Sequence, residues 1–509
     1  MSAPDFNSDN GFNKGKLTGL ILGLALFVVF VFNLLNLNMP PQACATAGAV
    51  LLMACFWISQ CLPIPITSLL PIVLFPILGI ADSGATVKYY ADNNIYLFMG
   101  GFIIALAIEK WNLHRRIALI ITSVLGNSPS RIVMGFMCGT AFMSMWISNT
   151  ATAIIMLPIG LAVISNINET SGQKRNFPVA LMLGIAYGAS LGGIATPIGT
   201  PPNILFLGVY EKSFPDAPMI SFFDWIKVFI PLTAILVPLA WLTLTKLVFP
   251  LKKQAEMGKD VIKAELRKLG PMSTAEKRVL IIFIVTALLW IFRTDIVIGN
   301  LAIPGWSMII PNFQLINDAT VAMVMAIILF FIPAGKSHSK QVLMDWPTAL
   351  KLPWGILLLF GGGFAIAGGF SISGLDQQIG MALKPYLIFH PLIIVLTVCL
   401  LLTFLTELTS NTATTAAFLP IMKGAAIALN LNPLLLMIPT TISASMAFML
   451  PIATPPNAIV FSSGRIKMSD MVKAGLVLNI LFAFVVACFV YFFVLPAWGY
   501  SSSMPSWAN

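Results

Sequence analysis

Apolar runs of membrane-spanning length recur along the whole chain, and the polar positions interrupting them fall into two matched sets. The first set opens with a glycine cluster, LFMGGF, at Leu97 to Phe102. It continues with S-N-T-A-T from Ser148, Asn149 and Thr150, and ends with IGTPPN at Ile198 to Asn203. The second set keeps that order: LFGGGF at Leu359 to Phe364, S-N-T-A-T from Ser410, Asn411 and Thr412, and IATPPN at Ile452 to Asn457. Gly101 and Gly363 stand 262 residues apart, as do Asn149 and Asn411, and Pro158 and Pro420; Asn203 and Asn457 stand 254 apart. The chain reads as two halves on one plan.

The pattern predicts helices throughout, some of them interrupted. Lys16 to Leu37 is too long for a signal-peptide core and lacks a small-residue cleavage site, so it reads as a retained first helix. The stretches flanking each S-N-T, such as Ile132 to Ile147 and Leu392 to Leu408, are marginal for crossing a hydrocarbon core of ~30 Å at ~1.5 Å per residue. They fit re-entrant hairpins with the S-N-T at the tip. Prolines 197, 201 and 202, and prolines 455 and 456, remove amide donors and break their helices.

Composition settles the class. Hydrophobic residues make up 58% of the chain, charged residues 9%, and mean hydropathy is +0.91, which excludes a soluble domain. The net charge of +10 does not point to nucleic acid, because Lys and Arg lie in short loops and one longer segment, where they set topology. Cys44, Cys55, Cys61, Cys138, Cys399 and Cys488 have no CxxC spacing and no local His partner, and read as packed free thiols.

Lys14 and Lys16 place the N-terminus in the cytoplasm, and the uncharged stretch Gly499 to Asn509 suits the exterior, so the crossings are odd in number. Leu251 to Arg278, with Lys252, Lys253, Lys259, Lys263, Arg267, Lys268, Lys277 and Arg278, reads as a cytoplasmic helix on the membrane surface without a ligand of its own. Arg131, Lys174 and Arg175 flank the first S-N-T. The second is flanked by Pro385 to Pro391, with His390 and the nearby Lys384, and by the uncharged Leu429 to Pro433. Those flanks open the first hairpin to the cytoplasm and the second to the exterior, an inverted repeat.

Backbone that leaves a helix at mid-membrane must line a polar cavity. Its helix N-termini attract anions, while carbonyls and the oxygens of Ser, Thr and Asn suit a small hard cation such as Na⁺. The motif cores hold no Arg, Lys, His or Asp. A neutral hydroxyl-and-amide site present twice suits a ligand with two similar polar ends, such as a dicarboxylate. Glu407 reads as hydrogen-bonded support for its hairpin arm, with cation contact the alternative. Ser, Thr and Asn are common interhelical glue, but glue does not explain three motifs repeated in order and in register. The glycine clusters read as packing, His114 as a loop or interfacial residue, and Lys423 as snorkelling from its helix end.

At these residues the chain resembles the divalent anion/sodium symporter family, which carries di- and tricarboxylates and sulfate. The match spans nearly the full length: paired SNT and TPPN motifs, glycine clusters and a central basic segment. The resemblance implies an all-α polytopic membrane protein with an inverted internal repeat. It implies about eleven transmembrane helices plus two re-entrant hairpins, a homodimer, and scaffold and elevator-type transport domains. The corresponding divisions are 1–130 (scaffold helices and first glycine cluster), 131–250 (first transport half), 251–280 (cytoplasmic basic segment), 281–385 (second scaffold helices) and 386–509 (second transport half). Carried over by position, one Na⁺ site uses Ser144, Ser148, Asn149 and the carbonyl of Gly199. The other uses Thr406, Thr409, Asn411 and the carbonyl of Ala453. Substrate contacts fall to Ser148, Asn149, Thr150, Thr200 and Pro201 from one half, and to Ser410, Asn411, Thr412, Thr454 and Pro455 from the other.

The expected function is Na⁺-coupled uptake of C4/C5 dicarboxylates such as succinate, malate, fumarate or 2-oxoglutarate. A Na⁺-independent exchanger on the same fold is the alternative. Three histidines, none within a motif, argue against a membrane-embedded hydrolase. Hairpins of both orientations argue against a channel, and competition by succinate rather than arsenite would separate this carrier from an oxyanion efflux pump. The sequon at Asn168 falls on the cytoplasmic side; that and the compact loops suit a bacterial plasma membrane.

Overall fold

A computed structural model describes residues 14–124, 128–168, 175–251, 259–298, 301–335, 340–383 and 390–508. Lys174, Lys252, Lys253, Lys384 and the flank from Pro385 to Phe389 lie outside the described residues. The described chain is helical, apart from a short antiparallel strand pair, Ile296–Ile298 with Leu301–Ile303.

The internal repeat extends well beyond the motifs. In the first half a glycine-rich helix (Asn93–Lys110) leads to a shorter helix (Leu113–Val124) and a helix–turn–helix hairpin with arms Pro129–Ser144 and Asn149–Asn168. A broken helix follows, Asn176–Gly193 then Pro201–Ser213, and the half closes with Phe222–Leu242. The second half runs Trp354–Ser373, Leu375–Leu383, hairpin arms Pro391–Thr406 and Asn411–Ala428, broken helix Leu434–Ala444 and Pro455–Phe461, and closing helix Met468–Phe489. Even the wide π-helical turns ending each closing helix correspond, at Thr243–Val248 and Val490–Val494.

Local chemistry places these boundaries. Pro129 and Pro391 start the incoming hairpin arms, and Pro201 and Pro455 start the helices after the breaks, where a missing N–H costs nothing. Ser128 Oγ accepts from the Arg131 amide and the His390 ring from the Leu392 amide, capping the two incoming arms.

Six helices among the described residues are long and apolar enough to cross a membrane unaided: Lys14–Val31, Pro41–Ser59, Ser83–Lys110, Phe222–Val248, Trp354–Ser373 and Met468–Ala497. The hairpin arms and broken-helix segments do not reach that mark, several of them, such as Pro391–Thr406 and Leu434–Ala444, because the polar motifs cut them short. They form the interior instead: Asn176–Gly193 is buried from Phe177 onward and Leu434–Ala444 along its whole length. Small residues permit this closeness. A Cβ on Gly192 would lie 2.1 Å from the Ala141 carbonyl oxygen of the incoming arm. The glycine clusters also serve packing: Gly101 faces Ile198, and Gly362 faces the Ser68 backbone.

The halves interlock crosswise. The outgoing arm of the first hairpin packs on Pro455–Phe461, and that of the second packs on Pro201–Ser213. Each S-N-T therefore starts a helix that leans on the other half's TPPN helix.

Three expectations need correction. His114 is buried on the first turn of Leu113–Val124, with Nδ1 3.0 Å from the Ile108 carbonyl oxygen, rather than in a loop. Lys423 does not snorkel; it is 3% exposed, ion-paired with Asp376 at 3.0 Å, and donates to Ser371 Oγ at 2.8 Å. The basic helix (Lys259–Lys268) docks on protein, packing against Leu113–Val124 and the first outgoing arm with Ile262 buried. There the Lys268 ammonium, with Arg115 beside it, holds the Glu265 carboxyl below its usual range.

Candidate functional site

Each hairpin tip carries the same device. Ser144 ends the first incoming arm, and its hydroxyl donates to Asn149 Oδ1 at 2.6 Å. Thr406 ends the second incoming arm, and its hydroxyl donates to Asn411 Oδ1 at 2.8 Å. In both cases the asparagine oxygen turns back toward the arm, and Nδ2 at the start of the outgoing helix has no hydrogen-bond partner among the described residues. An asparagine so held presents two chemistries: an oxygen beside a hydroxyl, suited to a hard cation, and an NH₂ group suited to a carboxylate. The neighbouring helix N-terminus adds unpaired amides of the same polarity.

The tips differ in detail. Ser148 Oγ accepts from the Ala151 amide at 3.2 Å, whereas Ser410 makes no such cap. Thr406 also lies within 2.7 Å of the Ala444 carbonyl, so its single proton is shared between two acceptors. The Thr409 hydroxyl turns away from Asn411, toward Thr414 Oγ1 and the Leu405 carbonyl. Ser148, Asn149, Thr150, Ser410 and Asn411 are half-buried, and Thr412 is buried.

The breaks complete the site. Gly199 folds back on Gly193 so closely that a Cβ on Gly199 would lie 2.5 Å from the Gly193 carbonyl oxygen. A Cβ on Gly193 would meet Asn149 Oδ1 at 2.7 Å and the Gly199 carbonyl oxygen at 3.2 Å. The structure thus gathers Ser144, Asn149 and Gly199 around one point, three of the four groups expected of the first cation site. In the second half Thr406 and Asn411 are joined directly, and Ala453 is buried in the turn ahead of Thr454. Thr200 and Thr454 are buried N-caps of the helices after the breaks; Pro201 is half-buried and Pro455 exposed.

Glu407 is fully engaged. Its Oε1 accepts from the amides of Phe448 (2.6 Å) and Met449 (2.8 Å) and from Asn479 Nδ2 (2.8 Å), and Oε2 accepts from the Leu450 amide (3.0 Å). This is the supporting role read from the sequence: the tip's carboxylate satisfies three successive amides that the break leaves without helical partners. Its counterpart 262 residues earlier is Met145, which joins the first break through its backbone, accepting from Thr196 Oγ1.

Several residues of the breaks escaped the sequence reading. Trp225 Nε1 donates to the Ile194 carbonyl at 3.0 Å, and the Tyr187 hydroxyl donates to the Phe448 carbonyl at 2.8 Å, across the halves. Neither they nor Thr196 belong to a repeated motif, so the repeat carried no signal for them. The closing asparagines of the TPPN motifs, Asn203 and Asn457, did carry one.

Comparison with known proteins agrees with this architecture. Residues 14–498 match the family described as sodium:sulfate symporter transmembrane region. The chain is 40% identical over 504 residues to the sodium-dependent dicarboxylate transporter SdcS of Staphylococcus saprophyticus, covering 98% of this chain and 95% of the relative. It is 40% identical over 494 residues to the SdcS protein of Staphylococcus aureus, covering 95% and 92%. Among solved structures, MtrF of Neisseria gonorrhoeae aligns with a TM-score of 0.59 over 95% of this chain and 96% of that one. The YdaH transporter of Alcanivorax borkumensis aligns at 0.55 over 83% and 88%. Both are 13% identical and share the fold alone. With a repeat-built helical membrane fold and a family match over almost its entire length, the chain belongs to the sodium:sulfate symporter family of membrane transporters.

Proposed function

We propose that this protein is a multi-pass carrier of the bacterial plasma membrane that takes up C4/C5 dicarboxylates together with Na⁺. The observation carrying this reading is the repeated pairing at Asn149 and Asn411, each oxygen held by a hydroxyl and each NH₂ without a hydrogen-bond partner among the described residues. Two such donors suit the two carboxylates of succinate, malate, fumarate or 2-oxoglutarate, and the oxygens behind them suit Na⁺. The staphylococcal relatives, named as sodium-dependent dicarboxylate transporters, support both halves of the reading.

In this account Ser148, Asn149, Thr150, Thr200 and Pro201 meet one end of the substrate, and Ser410, Asn411, Thr412, Thr454 and Pro455 the other. Ser144, Ser148, Asn149 and the Gly199 carbonyl hold one Na⁺; Thr406, Thr409, Asn411 and the Ala453 carbonyl hold the second, Thr409 through its hydroxyl after it releases Thr414. Bound Na⁺ neutralises substrate charge in a site without fixed cations, which couples the two. The protein works as a homodimer in the bilayer, N-terminus cytoplasmic and C-terminus external. Residues 131–250 and 386–509 move as a transport unit against scaffold helices in 1–130 and 281–385, while 251–280 lies on the cytoplasmic side.

Labelled succinate uptake into proteoliposomes tests the reading. An inward Na⁺ gradient with an empty lumen should drive uptake. Uptake only without Na⁺, into vesicles preloaded with unlabelled dicarboxylate, would make the protein an exchanger. No uptake in either case would overturn the substrate class.

A further inference from the structure

Asn203 and Asn457 close the two TPPN motifs, stand 254 residues apart and are fully buried, yet neither has a role in the site described above. Their side chains make the same bonds. Asn203 Nδ2 donates to the carbonyls of Thr196 (2.8 Å) and Gly193 (3.1 Å), with that of Ile194 at 3.4 Å. Asn457 Nδ2 donates to the carbonyls of Leu450 (3.0 Å) and Ala447 (3.1 Å). Leu450 and Ala447 correspond to Thr196 and Gly193 at the same 254-residue spacing. Each amide therefore ties the peptide leaving one helix to the helix that follows, across the break.

The loops so closed run from 196 to 203 and from 450 to 457, and Gly199 and Ala453 lie inside them. Those are the two residues whose backbone carbonyls are assigned to the cations. Pinning both ends of so short a loop leaves its peptides little freedom, so the clamp governs where those carbonyls point. The other end of each amide strengthens the case. Asn203 Oδ1 and Asn457 Oδ1 are buried and meet no donor among the described residues. An orphaned buried acceptor is destabilising, and here the same atom is orphaned in both halves. Only an amide supplies a two-proton fork at this place; a hydroxyl offers one proton and a carboxylate none.

We propose that Asn203 and Asn457 are positioning residues for the two coupling cations, aiming the Gly199 and Ala453 carbonyls without touching the ions themselves. The proposal rests on the Na⁺-coupled reading above. Outer partners of ion ligands typically change affinity by about 10–100-fold when removed, whereas a residue that merely holds the fold lowers stability and leaves ion affinity alone.

The test is Na⁺-dependent thermal stabilisation of the purified full-length protein, with Na⁺-dependent succinate uptake as a second readout. Asn203→Ala and Asn457→Ala should each raise the Na⁺ concentration at half-effect about tenfold or more. The succinate KM at saturating Na⁺ should stay within about twofold of wild type. Half-effect concentrations at the wild-type value would overturn the proposal, however far the baseline Tm falls. Should the alanine variants fail to fold, Asn203→Ser and Asn457→Ser decide on the same criterion. A wild-type protein with no Na⁺ response in either readout would sink the Na⁺-coupled reading and the proposal with it. A responsive wild type with unshifted variants would sink the proposal alone.

Discussion

The two helix breaks carry out one task with different materials. The first, Ile194 to Thr200, is short and closes on itself: Gly199 lies against Gly193, Trp225 caps Ile194, and Thr196 reaches the hairpin tip at the Met145 carbonyl. The second, Ser445 to Thr454, is longer, with Ala447 and Ala453 at the positions of those glycines. Its extra amides are gathered by the Glu407 carboxylate reaching down from the tip. A compact break needs glycine; an open one needs an acceptor for its amides. What both retain is the hydroxyl-held asparagine at the tip and the amide clamp across the break, and the proposed site is built on those shared parts.

Changes to the shared parts should have the largest effects and be equal in the two halves. Asn149→Ala and Asn411→Ala should each lower uptake at least about a hundredfold, with a size-exclusion profile unchanged from wild type; normal uptake by either one removes the site assignment. The glycine contrast comes next. Gly199→Ala drives a methyl into the Gly193 carbonyl and should abolish uptake, whereas Ala453→Gly should keep at least about half of it. Equal tolerance of the two would mean the breaks are not built differently.

The glutamate contrast is smaller. Glu407→Gln places an NH₂ among amide donors and loses charge-assisted bonds worth about 1.5–3 kcal/mol each in favourable cases. A clear drop in Tm and about tenfold slower uptake should follow. Met145→Leu, which keeps the backbone carbonyl that Thr196 uses, should change neither by more than about twofold. The smallest effect lies outside both breaks. Lys263 is exposed and Lys268 pairs only with Glu265 among the described residues, so Lys263→Gln or Lys268→Gln should leave the succinate KM within about twofold. A large rise there would place substrate at the basic helix.

Much of this was legible in the residues because the repeat writes each functional segment twice. The S-N-T tips, the TPPN breaks and the glycine clusters were placed by register alone, and the supporting role of Glu407 followed from its position on a hairpin arm. What eluded the sequence is what the repeat does not share. Thr196 corresponds to Leu450 and Met145 to Glu407, so the bond joining tip to break changes identity between halves. Lys423 was misread because an apolar helix end with one lysine looks like a snorkelling site. Its partner Asp376 is distant in sequence and is brought near only by packing of Leu375–Leu383 on Asn411–Ala428. The basic helix was read for its charges, while Ile262 and Glu265 decide that it docks on protein.

Two tips of one design that hold two coupling cations around one dicarboxylate should make uptake cooperative in Na⁺. The most direct test is the initial rate of labelled succinate uptake into proteoliposomes as external Na⁺ is varied at fixed ionic strength. A sigmoidal dependence with a Hill coefficient above one is expected for the wild type. A hyperbolic dependence, or a rate indifferent to Na⁺, would contradict it.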